Sequence, residues 1–196
     1  MKRAWTLLLV VALVVPVVAI AAEPEAKTPA EVKTGLKIGQ QAPEFKIKDA
    51  NGKVIDLAAL TAQGPVLVRL TCGCSGCDKE LGYFQALHEA YKGKGFTSIA
   101  IFKEADAKVE KYVQEKKLNM LYAVDTDGKS WETFQTKTMP TNFLIEKGGA
   151  IRAIAAGCDP SGLVAQNLSG KVAVLVNAAP ADVQKETKSS DKPAAK

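Results

Sequence analysis

Three of the four cysteines in this chain lie within seven residues, at spacings that suit thiol–disulfide chemistry. Cys74 and Cys77 form a Cys-x-x-Cys pair, which brings two sulfurs to disulfide distance within one helical turn. At a helix N-terminus, unpaired backbone N–H groups stabilise a thiolate and lower its pKa. We therefore predict that Cys74 attacks a partner disulfide and that Cys77, one turn further into the helix, resolves the mixed disulfide.

The same spacing is half of a zinc site, so metal binding is an alternative reading of the motif. Further ligands would have to come from Cys72, Cys158 and the single histidine, His88. Four thiolates can be combined into a site on paper. Export to an oxidising compartment, which the N-terminal residues indicate, disfavours a cluster of free thiolates. We predict no metal and no other cofactor.

The elements around the cysteines are predicted to be a strand and a helix. Residues 64–70 form a short apolar run, and residues 77–91 carry apolar positions at helical spacing. Further extended segments are predicted at 45–47, 54–57, 96–102, 121–124, 141–145 and 150–155, with helices at 107–117 and from about 159. Alternating strands and helices followed by a terminal hairpin and a helix predict an α/β fold, in which a central mixed β-sheet is flanked by helices.

The first 21 residues have the composition of a secretory signal peptide. Two basic residues precede the apolar stretch 5–20, which Pro16 interrupts and which ends in small residues at the cleavage-determining positions. The stretch is shorter than the roughly 20 residues of a membrane span. If it stayed uncleaved, it would tether the protein to a membrane. The sequence thus predicts a periplasmic or secreted protein, in a compartment where disulfides persist.

Composition divides the remainder into a spacer at 22–35, one globular domain at 36–178 and a disordered C-terminal tail at 179–196. The net charge of +5 is spread along the chain without a dense basic run. Such a surface does not indicate nucleic-acid binding, and none is expected. We expect a monomer.

Three segments carry a resemblance to a known family. They are GQQAPEF at 39–45 with NGK at 51–53, CSGCDKEL at 74–81, and TMPTNFLI at 138–145. On these segments, residues 36–178 resemble exported thioredoxin-like proteins of the TlpA and ResA (redoxin) type, a pattern that overlaps that of peroxiredoxins. The resemblance implies a thioredoxin fold with an N-terminal β-hairpin extension. It also implies a thiol–disulfide oxidoreductase that acts on protein thiols and disulfides and exchanges electrons with a redox partner protein.

The same resemblance implies roles for residues outside the cysteine pair. Pro140 is expected to be cis and to face the cysteines as part of the catalytic site, and the backbone of Met139 is expected to pair with the substrate chain. Gly73, Ser75 and Gly76, which flank the cysteines, complete the predicted substrate-binding set.

Two positions depart from the thioredoxin pattern. Gly73 stands where an aromatic residue precedes the first cysteine, and Val68 stands where thioredoxins carry a buried carboxylate. Glu80, in the predicted helix, is a candidate to supply the missing acid.

Cys72 and Cys158 are the least family-like feature. In the fold that the resemblance implies, Cys158 follows a strand parallel to the active-site strand, so both cysteines would lie at one edge of the sheet. We predict a second disulfide between them. Two alternatives stay open: one of the two exchanges with Cys74 or Cys77 as a third redox thiol, or both are inert thiols.

Three rival functions share the predicted fold. A peroxiredoxin-like thiol peroxidase is suggested by Thr71, three residues before Cys74, although Leu67 replaces the expected proline; Arg69 and Arg152 are predicted to be surface residues. A copper-binding module would use soft thiolates, but it needs a histidine that His88, expected to face solvent, does not supply. The third rival is a non-catalytic module with purely structural disulfides.

Overall fold

The computed structural model describes residues 34–190, and the predicted signal peptide and most of the spacer lie outside them. The strands are β1 (Lys46–Lys48), β2 (Val54–Asp56), β3 (Val66–Thr71), β4 (Thr97–Phe102), β5 (Leu121–Val124), β6 (Thr141–Ile145) and β7 (Ile151–Ala156). The helices are α1 (Leu57–Gln63), α2 (Ser75–Tyr91), α3 (Asp106–Lys116), α4 (Lys129–Thr133), α5 (Leu163–Leu175) and α6 (Val183–Ser190). A 3-10 turn, Lys92–Lys94, follows α2.

The central sheet has five strands in the order β5-β4-β3-β6-β7, and β1 and β2 form a separate antiparallel hairpin. Strand β3 is parallel to β4 and antiparallel to β6, which in turn is antiparallel to β7. The sheet is therefore mixed and flanked by helices, as the sequence predicted.

The register of the sheet brings three chain segments to one edge. Leu70 pairs with Thr141, which pairs on its other side with Ala156. The end of β3, the start of β6 and the end of β7 thus lie side by side. Consequently the cysteine turn, the Met139–Pro140 peptide and Cys158 leave the sheet at the same edge.

Strand β3 is buried on both faces because each face is covered by its own apolar cluster. One cluster joins Leu67 to residues of α2, α5 and α6, among them Phe84, Leu87, Leu168, Val172 and Val183. The other joins Val66, Val68 and Leu70 to Phe134, Phe143 and Ile55. Since side chains alternate along a strand, residue 69 shares the face of Leu67 and points toward α2.

Two short helices were not expected from the sequence. The α1 helix begins at Leu57, a residue predicted to end a strand, because Asp56 accepts hydrogen bonds from the N–H groups of Ala58 and Ala59 as an N-cap. The α4 helix occupies five residues after Gly128. Neither helix is long enough to show a clear period in the sequence.

The prediction of a disordered tail is wrong for residues 179–190, and residues 191–196 lie outside the described residues. Helix α6 packs on α2 with Val183 fully buried. The backbone before it is also held, since Tyr91 Oη accepts a hydrogen bond from the Ala181 N–H at 2.8 Å and Ser169 Oγ donates to the Ala181 carbonyl at 2.9 Å. One buried valine in a lysine-rich segment gives no apolar period, so the composition alone predicted disorder there.

The domain also begins earlier than residue 36. Thr34 forms a β-bridge with Thr136, and the Gly35 N–H donates to the Gln135 carbonyl at 2.9 Å. Within residues 34–190, no helix combines the length and apolar character needed to cross a membrane.

Candidate active site

The turn between β3 and α2 gathers three sulfurs into one cluster. The sulfurs of Cys72, Cys74 and Cys77 all lie within 4.8 Å of one another, and the Cys72 and Cys77 sulfurs are only 3.3 Å apart. Cys74 is exposed, Cys72 is half-buried and Cys77 is buried. All four cysteines, Cys158 included, are free thiols in this structure. The arrangement is an exposed thiol backed by two less accessible ones.

Cys74 occupies the N-cap position of α2, where its side chain makes no capping hydrogen bond to the backbone. The pKa of its thiol is lowered from the ordinary value of 9.0, first by a hydrogen bond from the Cys72 thiol and then by the backbone N–H of Cys77. The backbone N–H of Gly76 contributes in the same direction. Two of these donors belong to the open first turn of the helix, as the position of the Cys-x-x-Cys motif predicted.

The pKa values of the Cys72 and Cys158 thiols are shifted upward instead. Burial raises the pKa of Cys72 well above its usual range, and its hydrogen bond to Cys74 adds to the effect. Burial also raises the pKa of Cys158 to about 11, and the neighbouring Cys77 adds to that rise. Of these three thiols, Cys74 is therefore the one most readily present as a thiolate at neutral pH.

Cys158 lies against the first turn of α2 rather than against Cys72. A Cβ atom added at Gly76 would lie 2.9 Å from Cys158 Sγ, closer than such contacts occur, so glycine is needed at position 76 for this approach. The Cys72 sulfur instead lies 3.3 Å from that of Cys77. The predicted disulfide between Cys72 and Cys158 stays a prediction, and the contacts of the reduced protein do not favour it.

Behind the cysteines lies a buried ion pair that sequence reasoning missed. Arg69, predicted to be a surface residue, is 2% exposed, and its Nη2 lies 2.5 Å from Oε1 of Glu80, which is 1% exposed. Arg69 also donates from Nη1 to Asn142 Oδ1 at 2.9 Å and stacks 4.1 Å above the ring of Phe84. Because β3 is covered on both faces, an arginine within it has no route to solvent. The one sequence signal that Arg69 is buried is its position within the apolar run 64–70.

Glu80 links this pair to the loop that carries Cys158. Its Oε2 accepts a hydrogen bond of 2.8 Å from the backbone N–H of Asp159. Glu80 was the candidate for the acid missing at Val68, and it does lie one turn beyond Cys77 in α2. Its charge is balanced by Arg69, and it also raises the pKa of Cys158. The carboxylate therefore fastens the β7–α5 loop to the cysteine helix.

Gly73, which replaces the expected aromatic residue, is packed against an aromatic side chain from another element. A Cβ atom at Gly73 would be 3.4 Å from the ring of Tyr112 on α3. The Gly73 N–H donates to Glu104 Oε2 at 2.7 Å, and Tyr112 Oη donates to Asp78 Oδ1 at 3.1 Å. Helix α3 and the loop before it thereby hold the backbone immediately before Cys74.

The Met139–Pro140 peptide is cis, as the resemblance implied. Pro140 is buried, its carbonyl accepts a hydrogen bond from the Gly157 N–H at 2.9 Å, and Met139 is half-buried. The sheet register places this peptide at the edge where the cysteine turn lies. The assignment of Met139, Gly73, Ser75 and Gly76 to substrate binding remains a prediction.

The residues that a copper-binding module or a thiol peroxidase would need are buried or bound to other groups. His88, expected to face solvent, is 9% exposed, near the ring of Phe96, and burial lowers its pKa. The hydroxyl of Thr71 is buried and donates to the carbonyl of Cys72 at 3.4 Å, while Arg69 is bound to Glu80. Neither side chain is therefore offered to Cys74 as a peroxidatic site requires. Within residues 34–190, the three-sulfur cluster is the one group of three or more His, Cys, Asp or Glu side chains that could hold a metal ion.

Sequence comparison provides independent information on the chain. The model of the AhpC/TSA family matches residues 38–154. A protein named thiol-disulfide oxidoreductase ResA from Bacillus thuringiensis subsp. konkukian is 34% identical over 117 residues, which cover 59% of this chain and 68% of the relative. The protein of the same name from Bacillus subtilis is 28% identical over 126 residues, covering 64% and 70%.

Solved structures agree on the fold. A thiol:disulfide interchange protein DsbE from Chlorobium tepidum superposes with a TM-score of 0.66 at 23% identity, covering 72% of this chain and 99% of that one. The thioredoxin domain of a Bacteroides vulgatus thiol-disulfide oxidoreductase gives 0.60 at 25% identity, covering 70% and 99%. A peroxidoxin, BcpB, from Mycobacterium tuberculosis gives 0.58 at 19% identity, covering 72% and 97%. The predicted thioredoxin fold is confirmed.

Proposed function

The chain belongs to the AhpC/TSA family, and from that premise we propose that it is an exported thiol–disulfide oxidoreductase acting on protein disulfides through Cys74 and Cys77. The observation that carries this proposal is the pairing of an exposed thiol of lowered pKa with a buried thiol in the first turn of one helix. Relatives at 28–35% identity bear the name thiol-disulfide oxidoreductase, which supports the same reaction class.

The reaction proceeds by two exchanges. The Cys74 thiolate attacks one sulfur of the substrate disulfide, a Cys74–substrate disulfide forms, and the other substrate sulfur leaves as a thiolate. The Cys77 thiolate then attacks Cys74 Sγ, the Cys74–Cys77 disulfide forms, and the second substrate thiolate leaves. Two electrons pass from the protein to the substrate, and a redox partner protein restores the dithiol. In the opposite direction, the same steps oxidise a substrate dithiol.

The substrate is proposed to lie along the edge where the cysteine turn meets the Met139–Pro140 peptide. Ser75 and Gly76 belong to the first turn of α2, so a chain seated there would contact small residues. The backbone of Met139 precedes β6 and offers its polar groups to an extended segment. Gly73 leaves the approach to Cys74 without a bulky neighbour from the turn itself.

The cellular setting follows from the sequence. A leader at residues 1–21 would deliver the protein to the periplasm or the outside, or tether it to the membrane if uncleaved. There the protein would act as a monomer on protein thiols and disulfides, without nucleic-acid partners. Fractionation of the native protein, with N-terminal sequencing of the mature form, tests this placement. An intact N-terminus in the soluble cytoplasmic fraction would contradict export.

The activity is tested by reduction of insulin disulfides with dithiothreitol as electron donor. We expect Cys74→Ser to abolish turnover and Cys77→Ser to accumulate a mixed disulfide with the substrate, visible as a dithiothreitol-sensitive adduct by mass spectrometry. Lys111→Ser, at an exposed position on α3, serves as the control and should retain wild-type turnover. Unchanged turnover in the Cys74→Ser variant would show that the proposed nucleophile is wrong.

A further inference from the structure

We infer that Cys72 is a third redox thiol, which exchanges with the Cys74–Cys77 disulfide to form a Cys72–Cys77 disulfide and set Cys74 free. The inference rests on the proposed function for the existence of the first disulfide. It assigns a chemical role to a residue that the two-cysteine mechanism leaves unused. It also chooses among the pairings that four cysteines allow.

The position of Cys77 carries the inference. Its sulfur lies 3.3 Å from the sulfur of Cys72, within hydrogen-bond distance for two thiols, and within 4.8 Å of the sulfur of Cys74. Thiol–disulfide exchange requires the attacking sulfur to reach the sulfur it attacks, and the disulfide it forms is only about 2 Å long. Cys77 is therefore the common partner of two thiols on the same turn. Cys72 precedes the helix and Cys77 lies within it, and bond formation requires their sulfurs to approach by about 1.3 Å.

The exchange balances without an external oxidant. The Cys72 sulfur, as its proton leaves, attacks Cys77 Sγ in the Cys74–Cys77 disulfide. The Cys72–Cys77 bond forms, the Cys74–Cys77 bond breaks, and Cys74 leaves as the thiolate. The proton released by Cys72 passes to solvent or to the departing Cys74 sulfur. A leaving thiol of low pKa departs faster, which suits Cys74 as the sulfur released.

The exchange would change what the oxidised protein presents to its partners. With Cys74 and Cys77 joined, no nucleophile is exposed on the turn. With Cys72 and Cys77 joined, the disulfide is formed by the two less accessible sulfurs and Cys74 is again an exposed thiolate. The oxidised protein could then attack a second disulfide before it is reduced. This behaviour would suit disulfide rearrangement as well as simple electron transfer.

Cys158 is the competing partner for Cys77, since it neighbours Cys77 from across the first turn of α2. The contacts in the structure favour Cys72 over Cys158 as the disulfide partner of Cys77. The Cys72 sulfur meets the Cys77 sulfur directly and belongs to the three-sulfur cluster, whereas Cys158 lies over Gly76 and is outside that cluster. A test must therefore separate these two pairings.

The protein offers a clean test through its trypsin sites. Cleavage after Arg69 and Lys79 places the first three cysteines in the peptide 70–79, and cleavage after Arg152 and Lys171 places Cys158 in the peptide 153–171. The Cys74→Ser variant is equilibrated with oxidised and reduced glutathione, its free thiols are alkylated, and its tryptic peptides are weighed without reduction. In this variant, peptide 70–79 contains only Cys72 and Cys77. Cys74 is exposed, so the substitution leaves the core intact.

We expect peptide 70–79 of Cys74→Ser to be lighter by two hydrogens and to carry no alkyl group, as an internal Cys72–Cys77 disulfide requires. A species in which peptides 70–79 and 153–171 are joined, or a peptide 70–79 with both cysteines alkylated, would overturn the inference. In the oxidised wild-type protein, part of the Cys74 should be alkylated, and Cys72→Ser should lose that fraction. Insulin reduction by the wild type is scored separately, so inactivity there would refute the proposed function without deciding the Cys72–Cys77 pairing.

Discussion

Arg69 on β3 and Glu80 on α2 form an ion pair of 2.5 Å although both side chains are 2% exposed or less. The pair lies directly behind the cysteine turn, and hydrogen bonds extend it to Asn142 on β6 and to the backbone of Asp159. Strands β3 and β6, helix α2 and the β7–α5 loop are thereby fixed to one another at the edge of the sheet that carries the cysteines. The stability of this edge depends on neither buried charge being left without the other.

Removing one member of the pair is expected to destabilise the protein strongly. Arg69→Met leaves the Glu80 carboxylate buried without its counter-charge, a change that typically costs about 3–5 kcal/mol. The double variant Arg69→Met/Glu80→Leu removes both charges and should recover much of this loss. Urea unfolding monitored by circular dichroism measures each free energy of unfolding.

The matched control for the ion pair is the exposed pair Lys111–Glu115, whose charged atoms are 3.7 Å apart. Breaking it with Lys111→Met should change the free energy of unfolding by less than about 1 kcal/mol. Equal losses in Arg69→Met and Lys111→Met would show that burial does not set the strength of the Arg69–Glu80 pair.

The reactivity of Cys74 is expected to depend on the side chain at position 72. The Cys72 thiol lowers the pKa of Cys74, so Cys74 forms its thiolate, and is alkylated, at lower pH than an ordinary cysteine. Cys72→Ala removes the donor, raises the Cys74 pKa and moves the alkylation profile to higher pH. Cys72→Ser retains a hydroxyl donor and should move the profile less.

This prediction is checked by iodoacetamide alkylation as a function of pH, with the label located by fragmentation of peptide 70–79. The serine variant keeps a hydrogen-bond donor while losing redox chemistry, so it separates the two effects of Cys72. If the alanine profile coincides with that of the wild type, Cys72 does not tune Cys74.

Gly76 is expected to hold Cys158 in its present place. The Cβ atom of Gly76→Ala would lie 2.9 Å from the Cys158 sulfur, so Cys158 has to move away from the first turn of α2. Its pKa, about 11 because of burial and the neighbouring Cys77, should then fall toward 9.0, and Cys158 should be alkylated at lower pH. Mass spectrometry of peptide 153–171 follows this change.

Gly170→Ala is the control, because no heavy atom of the surroundings lies within 4 Å of its added Cβ atom. That substitution lies inside α5 and should stabilise the protein by about 0.5–1 kcal/mol without altering Cys158. An unchanged Cys158 profile in Gly76→Ala would mean that the contact does not determine the environment of this thiol.

Helix α6 is expected to contribute to the stability of the domain. Val183 is fully buried against the cluster that α2 and α5 share, whereas Val174 on α5 is 80% exposed. Val183→Asp places a charge among apolar side chains and should either cost more than about 3 kcal/mol or detach the helix. Val174→Asp should stay within about 0.5 kcal/mol of the wild type.

Thermal unfolding and limited proteolysis compare these two variants. Detachment would appear as rapid cleavage after Lys185, within α6, in the Val183→Asp variant alone. Equal melting temperatures and equal cleavage rates for both variants would show that the packing of α6 is not stabilising.

The sequence by itself determined the features that depend on near neighbours in the chain. The Cys-x-x-Cys spacing after an apolar run predicted a redox turn between a strand and a helix, since both elements have short periods. The mixed sheet followed from the same local patterns, whereas the N-terminal hairpin was implied by the family resemblance. The cis peptide before Pro140 came from a family resemblance, because the residues alone make it uncommon.

Only the tertiary structure decided what depends on the partners of a side chain across the fold. Arginine is usually a surface residue, yet the strand that carries Arg69 is covered on both faces, and Glu80 on α2 supplies its counter-charge. Val183 is flanked by polar residues in the sequence, and only its packing against α2 and α5 shows that it is a core residue. The disulfide between Cys72 and Cys158 stays a prediction, but only the structure shows that the Cys72 sulfur lies 3.3 Å from that of Cys77, because the path of the backbone through the turn, rather than sequence spacing, sets which sulfurs meet.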